Sequence, residues 1–236
     1  MSPLAQQITA AGLADHVLRE RQLARLLGGG DARRYGLVNR ALKEGALLRI
    51  KRGIYVLGQR YRSDTVHPFS IAQGLVPGSY ISFESALAWH GWIPEAVFLT
   101  ASVSPGRKTL HYVTSDFGAF DFHPLATADY HFLTAVDRVQ MGKLTAFVAQ
   151  PLRALMDLVA LRKEPWTGID WLTHGMRIDT KKLMSLGRND FAKLKTVYKH
   201  KAVNAFLAAL ESVRWSPDVG CQAPLNESRS RASDVR

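Results

Sequence analysis

Cationic and amide side chains at helical spacing between positions 33 and 43 are the residues of this sequence best suited to recognise a ligand. Arg33, Asn39 and Arg40 carry groups that read base edges in the DNA major groove, where arginine suits guanine and asparagine suits adenine. Of the cations that follow as far as position 52, three are predicted to hold phosphate oxygens. The predicted contacts to double-stranded DNA are therefore Arg33, Asn39 and Arg40 on bases, and Lys43, Lys51 and Arg52 on phosphates.

Two helices joined by a glycine turn are predicted to position these side chains. The spacing of Leu23, Leu26 and Leu27 predicts a helix over residues 21 to 27. The three glycines at 28 to 30 end this helix, because glycine tolerates positive φ and loses the most entropy in a helix.

The second helix is predicted over residues 31 to 44, with Asp31 as its N-cap and Gly45 after its end. Its buried face is expected to consist of Tyr35, Val38, Ala41 and Leu42. The opposite face would carry Arg33, Gly36, Asn39, Arg40 and Lys43. Two helices with a tight turn between them, the second with a basic outer face, are typical of a helix-turn-helix.

A β-hairpin is predicted directly after this helix, over residues 47 to 57. Leu48 and Ile50 alternate with basic residues, a pattern typical of a strand with one buried face. Gly53 supplies the positive φ for the reversal, and two basic residues lie at the tip. Because an isolated hairpin is marginal in water, we expect it to pack on the helices and to form a basic wing.

The positive charge of the chain is concentrated in the same region. The sequence contains 31 Lys and Arg against 20 Asp and Glu, which gives a net charge of +11. Residues 1 to 63 hold twelve of these basic residues and four of the acidic ones, a net charge of +8. A solvated surface is the alternative for each single feature, because exposed helix faces are usually charged and basic tips protect sheet edges. Their coincidence favours nucleic acid as the partner.

The remaining chain is predicted to form a larger domain of strands and helices. Strands are expected at residues 97–102, 110–114, 119–123, 130–134 and 143–148, after a short helix at 82–91 with Ser82 as its N-cap. Pro151 begins a helix with an apolar face formed by Leu152, Leu155, Met156 and Val159, and the chain beyond residue 168 is expected to be helical.

The predicted fold class is therefore α+β. An N-terminal winged helix-turn-helix at residues 1–63 is followed by a larger mixed α+β domain at 64–215. The polar composition from Ser216 onward predicts a disordered C-terminal tail at 216–236.

Several kinds of chemistry lack their motifs in this sequence. No apolar run or leader pattern indicates a membrane or secreted protein, and the lone Cys221 can build neither a disulfide nor a metal site within the chain, so we expect a cytoplasmic protein. No metal, cofactor or nucleophile motif is apparent, and the chain is predicted not to be an enzyme. A nuclease that uses Asp116 or Asp121 stays an alternative, although no Glu-x-Lys accompanies them.

Two ionisable residues of the predicted second domain are expected to serve the fold. His90 shares a helix face with Phe83 and Leu87, which is typical of a hydrogen-bonded core histidine. Asp157 lies one helical turn after Arg153, and this spacing predicts a local ion pair.

Four segments of the sequence resemble the AbiEi-type antitoxin family of type IV toxin–antitoxin systems. LVNRALKEGALLRIKRGIYVL, residues 37 to 57, looks like the recognition helix and wing of that family. SYISFESALAWHGWIPE, residues 79 to 95, looks like the opening helix of its second domain, and VAQPLRALMDLV, residues 148 to 159, like its strand–proline–helix segment. Residues 178 to 210 are similar to its helical end. The family commonly has an acidic residue after that proline, where this chain has Leu152 and Arg153.

The resemblance implies a function in two parts. The winged helix would bind the operator of its own operon, and the second domain would counteract a nucleotidyltransferase-like toxin without forming a stable complex with it. The alternative is a stand-alone winged-helix transcriptional regulator whose second domain senses a ligand or a protein. In the second domain of an antitoxin, the basic stretch at 181 to 201 would touch nucleic acid or the substrate of the toxin. The alternative is a solvated helix face over Phe191, Leu194 and Val197.

Overall fold

The computed structural model describes residues 2–95 and 98–215, and these ranges form a mixed α+β protein. The helices are Pro3–Ala10 (α1), Glu20–Leu27 (α2), Asp31–Lys43 (α3), Pro68–Leu75 (α4), Phe83–Trp89 (α5), Pro151–Arg162 (α6), Thr180–Met184 (α7), Arg188–Leu194 (α8) and Lys201–Trp215 (α9). The strands are Leu18–Arg19 (β1), Leu47–Lys51 (β2), Ile54–Leu57 (β3), Tyr80–Ile81 (β4), Leu99–Ser104 (β5), Leu110–Thr114 (β6), Gly118–Pro124 (β7), Val136–Met141 (β8) and Leu144–Ala149 (β9). The predicted tail at 216–236 lies outside the described residues.

The strands form two sheets. The smaller one has the order β1-β3-β2 and is antiparallel throughout. The larger one has the order β6-β7-β5-β4-β9-β8, in which β5 pairs with β7 and β4 with β9 in parallel and the other pairs are antiparallel. A mixed sheet of this kind places β6 and β8 at the edges.

The small sheet packs with α1, α2 and α3 around one hydrophobic cluster. We call residues 2–63, which contain these elements, the N-terminal unit, and residues 64–215 the second unit. The cluster contains Leu4, Ile8, Leu18, Leu23, Leu27, Ala41, Leu47, Tyr55 and Leu57. Neither α1 nor β1 is apparent in the sequence pattern, because α1 has a short apolar stripe and β1 has two residues.

The predicted glycine turn between two helices is confirmed. Helix α2 ends at Leu27 and α3 begins at Asp31, with positive φ at Gly28 (58°) and Gly29 (71°). Asp31 is the first helical residue and not the N-cap as predicted, because Gly30 already has the extended backbone of that position. The Asp31 carboxylate instead forms an ion pair with Arg34 one turn later.

The second unit is built around the large sheet. Helix α4 contacts β4, β5 and β9, whereas α5 contacts β5 and packs against α6. Helices α8 and α9 lie behind α6. The predicted helix over 82–91, the strands near 110–114, 119–123 and 143–148, and the helix after residue 150 are all present, and the strand predicted at 97–102 lies at 99–104. Within the described ranges, no helix is both long and apolar enough to cross a membrane.

The strand predicted over residues 130–134 is wrong, and β8 at 136–141 was not predicted. Positive φ values at Tyr130 (67°) and Ala135 (56°) break the extended backbone at both ends of this segment. Its carbonyl groups accept hydrogen bonds from a buried arginine instead of a neighbouring strand: those of Thr134 at 2.8 Å and Phe132 at 3.4 Å.

That arginine is Arg153 on α6, and with Asp157 it forms a fully buried ion pair. The two side chains are one helical turn apart, as predicted, and the Arg153 Nε donates to the Asp157 Oδ1 at 2.9 Å. Both have zero exposed surface. A buried charge needs the hydrogen bonds of its partner and of further groups around it, because desolvation of each ion costs several kcal/mol.

Three hydroxyl groups complete the coordination of Asp157. Tyr80 on β4 donates to its Oδ2 at 3.0 Å, and Ser82 donates to the same oxygen at 2.7 Å. Tyr198, from the segment between α8 and α9, donates to Oδ1 at 2.7 Å. The carboxylate thus joins α6, the central strand β4, the start of α5 and the helical C-terminal part of the unit.

The ionisation of this network follows from burial and charge. Burial would lower the pKa of Arg153, but the neighbouring Asp157 outweighs it and raises the pKa above the ordinary arginine value. Burial, reinforced by the Asp157 carboxylate, raises the pKa of Tyr80 and Tyr198 well above 10.0. Both tyrosines are therefore neutral donors, and Arg153 stays charged.

The two units meet at Asp15, which is buried between them. Its carboxylate accepts from the backbone N–H groups of Ser63 (2.9 Å) and Asp64 (3.1 Å) and from the Ser63 hydroxyl (2.6 Å). The Nζ of Lys143, from the β8–β9 turn, lies 3.2 Å from the same carboxylate. Burial would raise the pKa of Asp15, but these hydrogen bonds outweigh it and lower the pKa to about 2. The joint between the units is therefore held by charged hydrogen bonds.

The buried network yields a prediction for stability. Replacement Tyr198→Phe removes one hydrogen bond to a buried carboxylate and should lower the free energy of unfolding by about 1.5–3 kcal/mol. Arg153→Met leaves Asp157 without its counter-charge and should lower it by about 3–5 kcal/mol. Urea denaturation measures both values. The control is Tyr130→Phe, at a fully exposed tyrosine, and a Tyr198→Phe protein as stable as this control would contradict the assignment.

Candidate nucleic-acid interface

Helix α3 presents its basic residues on its exposed side. Ala41 is buried, and Leu37, Val38 and Leu42 are partly buried against the N-terminal core. Tyr35 was predicted on this buried face, but its side chain is 71% exposed. The prediction was wrong because Leu37, on the other side of the stripe, packs inward and shifts the buried face away from Tyr35.

The cations predicted on α3 are exposed and free. Arg33, Arg40 and Lys43 are exposed, and Asn39 is half-buried beside them. In residues 2–95 and 98–215, none of these three cations has a hydrogen bond or an ion pair, whereas Arg34 is paired with Asp31. Cations without internal partners keep their charge available to a polyanion, so this face of α3 has the electrostatics of a phosphate or base contact.

A shallow groove of about 470 Å³ connects α3 with the hairpin. Asn39, Leu42 and Lys43 form its helix side, and Arg49 from β2 forms the other side. Arg49 is exposed and was not among the predicted site residues, although the alternating pattern of residues 48 to 51 placed it on a polar strand face. The geometry adds Arg49 to the candidate surface.

The hairpin has the predicted strands and turn, but it is buried on both faces. Leu47, Tyr55 and Leu57 belong to the core of the N-terminal unit. Ile50, Ile54 and Val56 belong to the large core of the second unit. The expectation of one buried face was therefore wrong. The face of Leu48 and Ile50, which the pattern predicts to be buried, packs on the second unit. The opposite face, on which Arg49 pairs with Tyr55, packs on the core of the N-terminal unit.

The two predicted hairpin contacts differ in their surroundings. Arg52 is exposed at the tip, next to Gly53, whose φ of 77° makes the reversal as predicted. Lys51 is half-buried, and its Nζ donates to the Tyr112 hydroxyl of the second unit at 3.0 Å. The same Nζ lies 4.2 Å from the centre of the Tyr112 ring, a cation–π distance.

The other candidate residues have structural partners. His90 contacts the Ala149 carbonyl at 2.9 Å through its Nε2, so the predicted hydrogen bond is present. The residue is half-buried at the end of α5 and does not belong to the core as predicted. Asp121 pairs with His111 across the β6–β7 ladder, and Asp116 accepts from the Ser115 hydroxyl. Within the described ranges, no group of three or more His, Cys, Asp or Glu side chains is placed to hold a metal ion.

The basic stretch 181–201 surrounds buried apolar side chains, as the hypothesis of a solvated helix face predicts. Phe191, Leu194 and Val197 are fully buried. Two of its lysines are paired: Lys195 with Glu211 and Lys199 with Asp129. Pairing neutralises part of the charge there, in contrast to the free cations of α3.

Comparisons with known proteins bear on the fold. No family model and no curated protein matches this sequence. The structure is similar to the crystal structure of the RV2827C protein from Mycobacterium tuberculosis, with a TM-score of 0.51 and 14% sequence identity over 92% of this chain and 80% of that chain. At this identity the likeness concerns the fold alone, and the chain shares a mixed α+β architecture with that protein.

Proposed function

We propose that this chain is a DNA-binding transcriptional regulator and the antitoxin of a type IV toxin–antitoxin system. In this proposal residues 1–63 form a winged helix-turn-helix, with α2 and α3 as the two helices and β2–β3 as the wing. The unit binds double-stranded DNA at the operator of its own operon, in the cytoplasm. Residues 64–215 counteract a nucleotidyltransferase-like toxin.

The observation that carries the DNA-binding part is the exposed face of α3. Its cations have no partners in the described chain, and Lys43 lines one groove together with Arg49 of the hairpin. Helix α3 has 13 residues, about 20 Å, which suits insertion into the major groove. We propose Arg33, Asn39 and Arg40 as base contacts and Lys43, Arg49 and Arg52 as phosphate contacts.

The antitoxin part is supported by the resemblance of four segments to the AbiEi-type family. The residues in the third segment also occupy a central place in this fold, because Arg153 and Asp157 hold the second unit together. The buried ion pair supports a second unit of defined shape. The activity against a toxin is inferred from the resemblance of the four sequence segments.

The DNA proposal predicts the effect of removing two cations from the surface. Arg40→Ala with Arg52→Ala should weaken binding to duplex DNA from upstream of its own gene by about 10- to 100-fold, because each contact contributes about 1 kcal/mol or more. Fluorescence anisotropy measures the affinity. The matched control is Lys181→Ala with Lys182→Ala on α7, which removes the same charge and should leave binding within about twofold. Equal losses in both proteins would contradict the localisation to α3 and the hairpin.

The antitoxin proposal predicts a separation of functions. A nucleotidyltransferase-fold protein encoded by a neighbouring gene should arrest growth when it is expressed alone. Co-expression of the present chain should restore growth. The Arg40→Ala, Arg52→Ala protein should restore growth as well as the wild type when both are expressed from a foreign promoter, because the second unit is intact. If neither the wild type nor the Arg40→Ala, Arg52→Ala variant restores growth, the antitoxin function is rejected and the stand-alone regulator is favoured.

A further inference from the structure

The hairpin carries cations on both of its faces, and a β-bulge separates them. The cross-strand partners are Arg49 with Tyr55 and Lys51 with Ile54, with a register shift between them. In a regular strand Arg49 and Lys51 would point to the same face, because side chains alternate with a period of two. The bulge breaks this alternation and turns Lys51 away from the face that Arg49 shares with α3.

Lys51 then lies against Tyr112 on the edge strand β6 of the second unit. The contact combines a hydrogen bond of 3.0 Å with a cation–π distance of 4.2 Å. Tyr112 is itself fixed, because its ring packs edge-on against Phe122 with centroids 5.9 Å apart. The hairpin tip is therefore attached to the sheet of the second unit, 61 residues further along the chain.

We propose that Tyr112 is a positioning residue for the DNA-binding surface. By holding Lys51 it fixes the hairpin beside α3, so that Arg49 and Arg52 point to the DNA, and Lys51 itself is no phosphate contact. This inference rests on the proposed DNA binding and revises the role that the sequence predicted for Lys51. It also gives the second unit a means of controlling the affinity for DNA.

Physical reasons support an effect from one contact. The strands are held by two cores, but residues 51 to 53 at the tip belong to neither of them. The tip is held by the contact of Lys51 with Tyr112 and by the hydrogen bond from the Glu20 N–H to the Gly53 carbonyl at 2.9 Å. The Lys51 amine is half-buried and engaged, so a phosphate contact would require it to leave both the hydroxyl group and the ring. Loss of that anchor should release the tip without changing any group that faces the DNA.

A double-mutant cycle on the full chain tests the proposal. The variants are Lys51→Met, Tyr112→Ala and their combination, with Tyr112→Phe as a milder change that keeps the ring. We expect Lys51→Met and Tyr112→Ala each to weaken binding to the upstream duplex by about tenfold, and the combination by about tenfold as well, since both remove one contact. The slope of log affinity against log salt should stay unchanged in all of them, because Arg49 and Arg52 still contact phosphates in the complex and the affinity is lost in ordering the tip.

The control is Val113→Ala, the next residue of the same strand, whose side chain is 71% exposed. It should bind DNA as the wild type does. The proposal is overturned if Lys51→Met lowers the salt slope by about 0.9, the value for one phosphate, while Tyr112→Ala leaves the affinity unchanged. A combined loss of about 100-fold would show independent effects and would overturn it too.

Amide hydrogen exchange separates this inference from the DNA proposal. In the free protein, Tyr112→Ala should speed exchange at the backbone amides of β2 and β3 by about tenfold, since the tip opens more often. Unchanged exchange would overturn the anchoring role whether or not the protein binds DNA. Faster exchange in a chain that binds no DNA would support the anchoring role of Tyr112 and would reject only the effect of that role on DNA binding.

Discussion

The buried charge of Asp157 is the constraint on which the second unit depends. A carboxylate with no exposed surface persists only where donors surround it, and here the donors come from α6, β4, the start of α5 and the segment before α9. Its counter-ion Arg153 in turn binds the carbonyls of the segment before β8. Because each partner must be in place for the others to be satisfied, the network fixes the central strand of the sheet relative to the helices behind it.

The fixed sheet then determines the position of the hairpin. Strand β4 is the neighbour of β5, which pairs with β7, and β7 pairs with β6, where Tyr112 lies. The apolar side chains of Ile50, Ile54 and Val56 and the amine of Lys51 all contact this unit. The opposite face of the hairpin contributes to the core with α2 and α3. The hairpin is thus shared by two cores, and the surface between it and α3 has a defined geometry.

Local signals in the sequence predicted most of the elements, and contacts between distant segments account for the errors. The glycines at 28–30 and Gly53 determine turns by themselves, so the helices and the hairpin could be predicted. The exposure of Tyr35 could not be predicted, because it depends on which side of α3 packs against the core. The spacing of Arg153 and Asp157 predicted their ion pair, but Tyr80 and Tyr198 join it from 73 and 41 residues away. The bulge that redirects Lys51 has no sequence mark of its own, and hence the partner Tyr112 was not foreseen.

The salt dependence of DNA binding tests the central claim most directly. Five exposed cations lie on α3 and the hairpin: Arg33, Arg40, Lys43, Arg49 and Arg52. If each neutralises a phosphate or lies in its field, the affinity of the full chain for duplex DNA should fall with a log–log slope of roughly −4 to −5 per protomer. A slope near zero, or no binding to duplex DNA at low salt, would contradict the account.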